Sequence, residues 1–472
     1  MSSLLNNAPA LLVLEALLLT VVSSRTGLSI FLSVVFSELM ILAKIFIAEE
    51  QWSARRALFA LVLCALCALG SILVSNQLKQ REALPSSVSD DFTVLERRTW
   101  GETHLLVLKG MNGGKWLSVA KGALSGGEEG DCFHLTASVR SLRENSARSS
   151  FSPFRYWKAR GVRGELRDVR EIRPLPNTLS IHTIRNSLRE RIQMLPPVCR
   201  ALTAAVLLGD REPGISEDFR RWGISHFLAV SGWHVSFSLV LAALLMKRSR
   251  FRFILASLFL WGYCCISGMS VSAVRASIML QISLFGAASG TGSSGLNSVG
   301  LAGVIMLLHN PWVCYDSGWQ LSVLAAAAAV SLRHFKSIWS SLMVSPLMWF
   351  ISSPLVAPSA GGIFLSSLPI NAMATALFSF VILSAVLGSL PLLLGIEILF
   401  PALCAQKLFH VWAQASDQWV CWLPLALPVS FFPAWLCGGF FQLLLALSMK
   451  ITLWRAFILA LTGGLTLYIL HV

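Results

Sequence analysis

Apolar runs of about twenty residues recur along this chain, and they decide what it can fold into. The clearest is Phe227–Met246, which contains no Lys, Arg, Asp or Glu and is followed at once by Lys247, Arg248, Arg250 and Arg252. A helix of about 20 apolar residues crosses the hydrocarbon core of a bilayer, whereas barrel strands are about 10 residues long and alternate in polarity. A helix also satisfies its own backbone N–H and C=O groups where no water is present. Charged residues make up 13% of the chain and hydrophobic ones 55%, whereas a soluble domain carries about 25% charged residues. The sequence therefore predicts a polytopic α-helical membrane protein.

Three apolar segments open the chain, at roughly 9–22, 28–47 and 57–75. Further spans are expected near 253–268, 271–288, 297–309, 317–331, 338–357, 364–395 and 431–471, the last two regions having room for more than one helix each. The expected total is about ten to twelve spans. Leu11–Val22 has no basic region before it and more apolar runs follow, so it reads as a first transmembrane helix and not as a cleaved signal peptide. Arg55 and Arg56 precede the third segment, and Arg333-His334-Phe335-Lys336 follows the span at 317–331. With Lys247–Arg252 these basic loops fall on one side under strict alternation, and the positive-inside rule makes that side the cytoplasm. The N-terminus is then cytoplasmic and residues 76–200 are extracytoplasmic. That outer segment carries 21 Lys and Arg against 13 Asp and Glu, which does not oppose export, since long domains translocate largely regardless of charge.

The outer segment predicts a small β-rich domain over 76–180, between the N-terminal membrane helices (1–75) and a second membrane block (181–472) that opens with an amphipathic helical stretch at 181–208. His104–Lys109, Lys115–Ala120 and Cys132–Val139 are short β-prone runs separated by Asn112-Gly113-Gly114 and Gly126-Gly127, a spacing that suits a small barrel or sandwich. Phe151–Leu166 interleaves Arg155, Lys158, Arg160 and Arg163 with Tyr156 and Trp157. Such a mixture can stack bases and neutralise phosphates, or it can form an amphipathic surface strand or loop. Cys132 and Cys199 are the two cysteines of this segment, and they can pair as a disulfide if it faces an oxidising compartment.

Polar residues at membrane depth are few, and each is a candidate for function. Charge crowds the first half of Gly209–Val235, GDREPGISEDFRRWGISHFLAVSGWHV, which then runs unbroken into the apolar span. Asp210, Ser231, Gly232 and His234 sit at this junction. They can line a path, or Ser231 and Gly232 can simply let neighbouring helices approach. Arg275 lies a few residues inside an apolar span and needs a partner or water. Asp316 and the Asp210/Glu212 pair are candidate partners, and Gln320, one turn after Asp316, can line the same path. Asp316 also reads as a helix N-cap. There is no GxxxxGK[ST], HExxH or GxSxG sequence. The nine His are scattered, which gives no metal cluster. The chain is read as a non-enzyme with neither metal nor cofactor.

Several of these segments together resemble the ComEC family of competence proteins. Gly209-Asp210, Gly223-Ile224-Ser225-His226, Leu228-Ala229, Ser231-Gly232 and His234-Val235 match the opening of that family's membrane domain, with Trp233 where the family usually has Leu. Ser267–Ala276 resembles its G-x-S-P-S-V-x-R-A stretch, with Val271 in place of Pro. His309-Asn310-Pro311 through Ser322, Ser366–Ala372 and Phe154–Leu166 match three more of its segments in the expected order. The resemblance implies an inner-membrane channel that passes DNA, as a single strand, into the cytoplasm during natural transformation. It implies an outer OB-like domain and membrane lipid as surroundings. It also implies a periplasmic DNA receptor and a cytosolic ATPase as partners, and a separate nuclease, because the family's metallo-β-lactamase-like part is not recognisable here. A transporter of nucleotides or another small solute on the same scaffold is the alternative.

Overall fold

The structure, a computed structural model, describes residues 9–25, 54–79, 84–100, 103–121, 124–142, 152–176, 180–228, 230, 232–245, 251–290, 294–332, 346–353, 355–357 and 362–427. It is mostly helical with one small closed β-barrel. The expected spans at 28–47 and 431–471, residues 338–345 of the span at 338–357, and Ser231 lie outside the described residues.

Helices α1 (Pro9–Arg25) and α2 (Ala54–Lys79) lead to the barrel. Its strands are β1 (Ser87–Trp100), β2 (Thr103–Gly110), β3 (Lys115–Val119), β4 (Cys132–Ser141) and β5 (Val162–Leu175), with helix α3 (Pro153–Ala159) before β5. The barrel closes in the order β1-β2-β3-β5-β4. The β3–β5 pairing is parallel, and the others are antiparallel. Successive strand residues face opposite sides. Leu106 and Leu108 of β2 therefore join Phe92, Val94, Trp116 and Leu135 inside, while Val107 and Leu117 face out and are covered by Trp157 of α3. Pro153–Leu166 is thus a helix followed by a strand, where the sequence allowed a base-stacking stretch or an amphipathic surface strand or loop.

The remaining helices are α4 (Ile181–Gln193), α5 (Pro197–Leu207), α6 (Pro213–Arg221), α7 (Gly232–Leu245), α8 (Arg252–Ile266), α9 (Val271–Ala288), α10 (Gly295–His309) and α11 (Ser317–Leu332), followed by α12 (Ser367–Met373), α13 (Ser379–Leu393) and α14 (Phe400–Trp422). Among the described residues two stretches are long and apolar enough to cross a membrane: Ala57–Leu78, with mean hydropathy 2.8, and Val271–Ala288, with 1.5. Helices α8 and α10 have 15 residues each and α11 has 16, about 23 Å of helix. The region 364–395 is two helices joined by a π-turn at Ala374–Phe378, and α14 was not expected.

Small residues set the closest helix contacts, as is usual where packing alone drives association. A Cβ on Gly300 of α10 would lie 2.4 Å from the Leu11 nitrogen of α1, and one on Gly70 of α2 would lie 2.9 Å from Leu17 Cδ2. Ala10 N–H donates to Asn297 at 3.0 Å and Thr20 to Ser71 at 2.8 Å. A second core joins α5 and α6 to α13 and α14 around Phe219, Trp222, Phe378, Phe409 and Trp412. Cys132 and Cys199 do not form a disulfide. The Cys199 thiol faces the Ala402 carbonyl of α14 at 3.2 Å, and Cys132 opens β4 beside Thr93.

Candidate functional site

Among the described residues the barrel meets the helices at two places, which hold some of the sequence-flagged residues. The first place is α3. Its Phe154 packs edge-on against Trp312, in the 3-10 turn Pro311–Tyr315 between α10 and α11, with ring centroids 5.3 Å apart. The Arg155 guanidinium lies 5.1 Å from the centre of the Tyr315 ring, and Asn310 donates its amide to the carbonyls of Lys158 and Ala159, each at 3.0 Å. Arg160 donates to Asp316 Oδ2 at 3.0 Å, while Asp316 Oδ1 accepts the Trp319 N–H at 3.1 Å. Asp316 is therefore both an N-cap of α11 and the acidic partner of Arg160. Arg155, Tyr156, Trp157, Lys158 and Arg160, expected on a DNA-binding face, lie in or under this contact, while Arg163 is exposed on β5.

The second place is a buried charge network. Glu129, in the turn before β4, is 3% exposed. It accepts from His182 Nδ1 at 2.8 Å, Arg185 Nε at 2.6 Å and Arg189 Nη2 at 2.8 Å. These three donors recur at three- and four-residue intervals, so they share one face of α4. Arg189 also donates to Asp210 at 2.7 Å, and Arg185 reaches the carbonyls of Leu208 and Ile266. Burial pushes the Glu129 carboxyl up, but the hydrogen bonds from His182, Arg185 and Arg189 outweigh it and hold it down at about 2. The turn that presents Asp210 requires Gly209, whose φ is +74° and where a Cβ would meet the Ser267 carbonyl at 2.8 Å. Sequence reasoning missed Glu129, His182, Arg185 and Arg189. The regular spacing of the α4 residues was a readable signal, but Glu129 carried none.

Where α7 meets α9, the structure brings Gly232 and Arg275 together. A Cβ on Gly232 would stand 3.6 Å from Arg275 Nη2. His234 is buried two residues further along α7. Arg275 is 6% exposed, its Nη1 lies 3.3 Å from Met279 Sδ, and its Nε has no acceptor among the described residues. The three carboxylates weighed as its partners are engaged elsewhere: Asp210 by Arg189, Glu212 by Arg200 at 2.6 Å, and Asp316 by Arg160. Gln320 donates to the Cys314 carbonyl at 2.7 Å and so braces the turn before α11.

Comparison with known proteins adds the following. The profile of a family described as Competence protein matches residues 206–454. ComE operon protein 3 of Bacillus subtilis (strain 168) is 26% identical over 252 residues, which is 50% of this chain and 32% of that protein. The match thus covers about a third of that relative's own length. No solved structure matches the chain.

Proposed function

The chain belongs to the competence-protein family, and from that premise we propose that it is a channel of the bacterial cytoplasmic membrane through which DNA enters the cell as a single strand during natural transformation. The observation that carries this reading is Arg275. It is a buried guanidinium at membrane depth with every candidate carboxylate claimed by another arginine. Such a group is retained where it serves an anion or a polar path, and an unpaired cation beside a pore lowers the barrier for phosphate. Gly232 lets the Arg275 guanidinium pack close to the α7 backbone, 3.6 Å from where a Cβ would stand, and Ser231, Gly232, His234, Asp210 and Gln320 complete the proposed path.

The barrel's strand order and its parallel β3–β5 pair fit an OB-like domain, held over the junction at Gly209-Asp210 by the Glu129 network. On this reading the chain divides into 1–75, 76–180 and 181–472, a division that the barrel at Ser87–Leu175 supports. Exposed Leu58, Leu61, Leu66 and Leu69 of α2 face lipid. No P-loop is present in the sequence, and the pull on the strand is assigned to a cytosolic ATPase or a DNA-binding protein.

Replacing Arg275 with Gln, with expression and insertion verified, is expected to abolish the entry of labelled DNA into a nuclease-protected compartment. Unchanged uptake would remove Arg275 from the path. Purified protein in liposomes is expected to pass labelled single strands. Flux of mononucleotides without flux of strands would replace this reading by small-solute transport.

A further inference from the structure

Three sulfur atoms converge where α8 ends. Cys264 and Cys265 lie in its last turn, and their Sγ atoms stand 3.7 and 3.8 Å from one atom, Met269 Sδ. The backbone folds back to bring Met269 there. Gly268 has φ +79° and Met269 +52°, and their N–H groups donate to the carbonyls of Cys265 and Cys264 at 3.1 and 3.0 Å. This left-handed region suits glycine and disfavours a residue with a Cβ. The turn is held from outside by Arg185 of α4, which donates to the Ile266 carbonyl and lies 3.1 Å from where a Cβ on Gly268 would stand. Cys264 is buried, Cys265 is half-buried and Met269 is 48% exposed. The cluster therefore rests on the core at one end and is open at the other.

Gly and Asn are the usual residues in this conformation at a helix end. What Met269 adds is a thioether set against two thiols. Soft thiolate and thioether ligands select Cu(I). Sulfur atoms about 2.3 Å from one ion stand about 4 Å apart in a three-coordinate plane, and two edges of such a triangle are in place at 3.7 and 3.8 Å. Zinc is a poorer fit, since its structural sites take four ligands from Cys, His and carboxylate. Among the described residues no set of three His, Cys, Asp or Glu side chains could hold a metal ion; here the third ligand is Met. We propose that Cys264, Cys265 and Met269 form a three-sulfur site for Cu(I) at the barrel-side end of α8. Binding forms three Cu–S bonds and releases the two thiol protons to solvent, with no change of oxidation state. The bound ion ties the last turn of α8 to the residues that lead into α9, the helix of Arg275. The site does not depend on the channel reading.

The test uses the full chain in detergent, anaerobic with ascorbate, and Cu(I) supplied from its bicinchoninate complex. Wild type is expected to take Cu(I) from the chelator. Met269→Leu and Met269→Gly should each bind at least roughly tenfold more weakly, the loss that even a residue behind the ligands can cause. Met269→Gly suits the positive φ, so its loss of binding is not a loss of folding, and a thermal midpoint at least equal to that of metal-free wild type checks this. Cys404→Ser, at an exposed cysteine, should bind as wild type. X-ray absorption of samples loaded below one ion per chain should count three sulfurs in wild type and two in Met269→Leu. Two sulfurs in wild type, wild-type affinity in both Met269 variants, or an equal loss in Cys404→Ser would each overturn the site. So would Zn(II) displacing bound Cu(I). If Cys264 and Cys265 were found joined as a disulfide in the protein as isolated, the pair would be a redox couple and the copper assignment would fall.

Discussion

Glu129 shows how much of this molecule rests on single side chains. Its carboxylate is the shared acceptor of three cationic or imidazole donors in a buried place, and removing it leaves the buried Arg185 with Asp210 only at 3.9 Å while Arg189 keeps Asp210. Glu129→Gln is expected to cost about 3–5 kcal/mol, read from chemical or thermal unfolding of the protein in detergent. The same carboxyl sets an acid limit. Its pKa falls from the ordinary 4.5 to about 2 on folding, so the folded state binds fewer protons than the unfolded one between these values. The resulting stability, roughly 3 kcal/mol at 1.36 kcal/mol per unit, is fully present above pH 4.5 and is lost as the pH drops to 2. Wild type should lose stability across that window while Glu129→Gln stays flatter; parallel curves would remove Glu129 from the acid response. Asp316 divides two roles between its two oxygens. Asp316→Asn keeps the cap of α11 and weakens the hold on Arg160. Asp316→Ala also loses the cap and should be less stable than the Asn variant by about 1 kcal/mol. Equal stability of the two variants would show that the cap carries no weight.

At the scale of elements, the sequence was readable where one periodicity ruled a whole segment. Helix α9 has the expected bounds, 271–288, and β2, β3 and β4 lie within about two residues of their expected runs. Strand β5 was missed because Leu166, Val169 and Ile172 recur every three residues, a helical interval. The strand accommodates this by irregular pairing with β4 around Asp168, whose φ is +50°. Strand β1 was hidden by Asp90, Asp91, Glu96, Arg97 and Arg98; Asp91, Glu96 and Arg98 face out, whereas Asp90 and Arg97 stand opposite the core residues Leu135 and Leu106, and a bulge between Val94 and Glu96 shifts the alternation. Helix α14 was legible in principle, since Ala402, Ala405, Phe409, Trp412 and Ser416 are its buried residues at helical spacing. The site was legible only as a set of unusual residues. Asp210, Arg275 and Gln320 stood out, but their partners come from distant segments and are chosen by the fold. Gly300 and Gly262 give a test of element packing. Gly300→Leu would drive a side chain into the α1 backbone and should destabilise the bundle by about 3 kcal/mol, with loss of folded yield. Gly262→Leu, with nothing within 4 Å of its Cβ position, should be close to neutral. Comparable losses in both would mean that α1 does not pack tightly on α10.

For the whole molecule, the contacts divide the helix ends into two sets. The barrel side collects the Leu208–Asp210 turn, the end of α8 at Ile266, and Asn310 to Asp316. Gln77 at the end of α2 joins this set, donating to the Leu308 carbonyl at 3.2 Å. The other ends of the same helices have Arg55 and Arg56 in the first turn of α2, Arg252 at the start of α8 with Lys247, Arg248 and Arg250 just before it in sequence, and Arg333 to Lys336 next in sequence after α11. Basic loops and barrel therefore belong to opposite ends of the bundle, which is the arrangement that the positive-inside rule needs if the barrel is extracytoplasmic. The end of α9, at Ser289, lies one helix length from the barrel-side turn at Ser267 to Ser270. A chain with its ten native cysteines replaced, carrying one new cysteine, can test this frame with a membrane-impermeant maleimide on intact spheroplasts. Arg163→Cys on β5 should be labelled before lysis and Ser289→Cys only after it. If both were labelled from the same side, the barrel and the α9 end would share a compartment and the alternation would fail. If the two were labelled in the reverse order, the helical frame would stand but the barrel would lie in the cytoplasm, and an incoming strand would meet the bundle before the barrel.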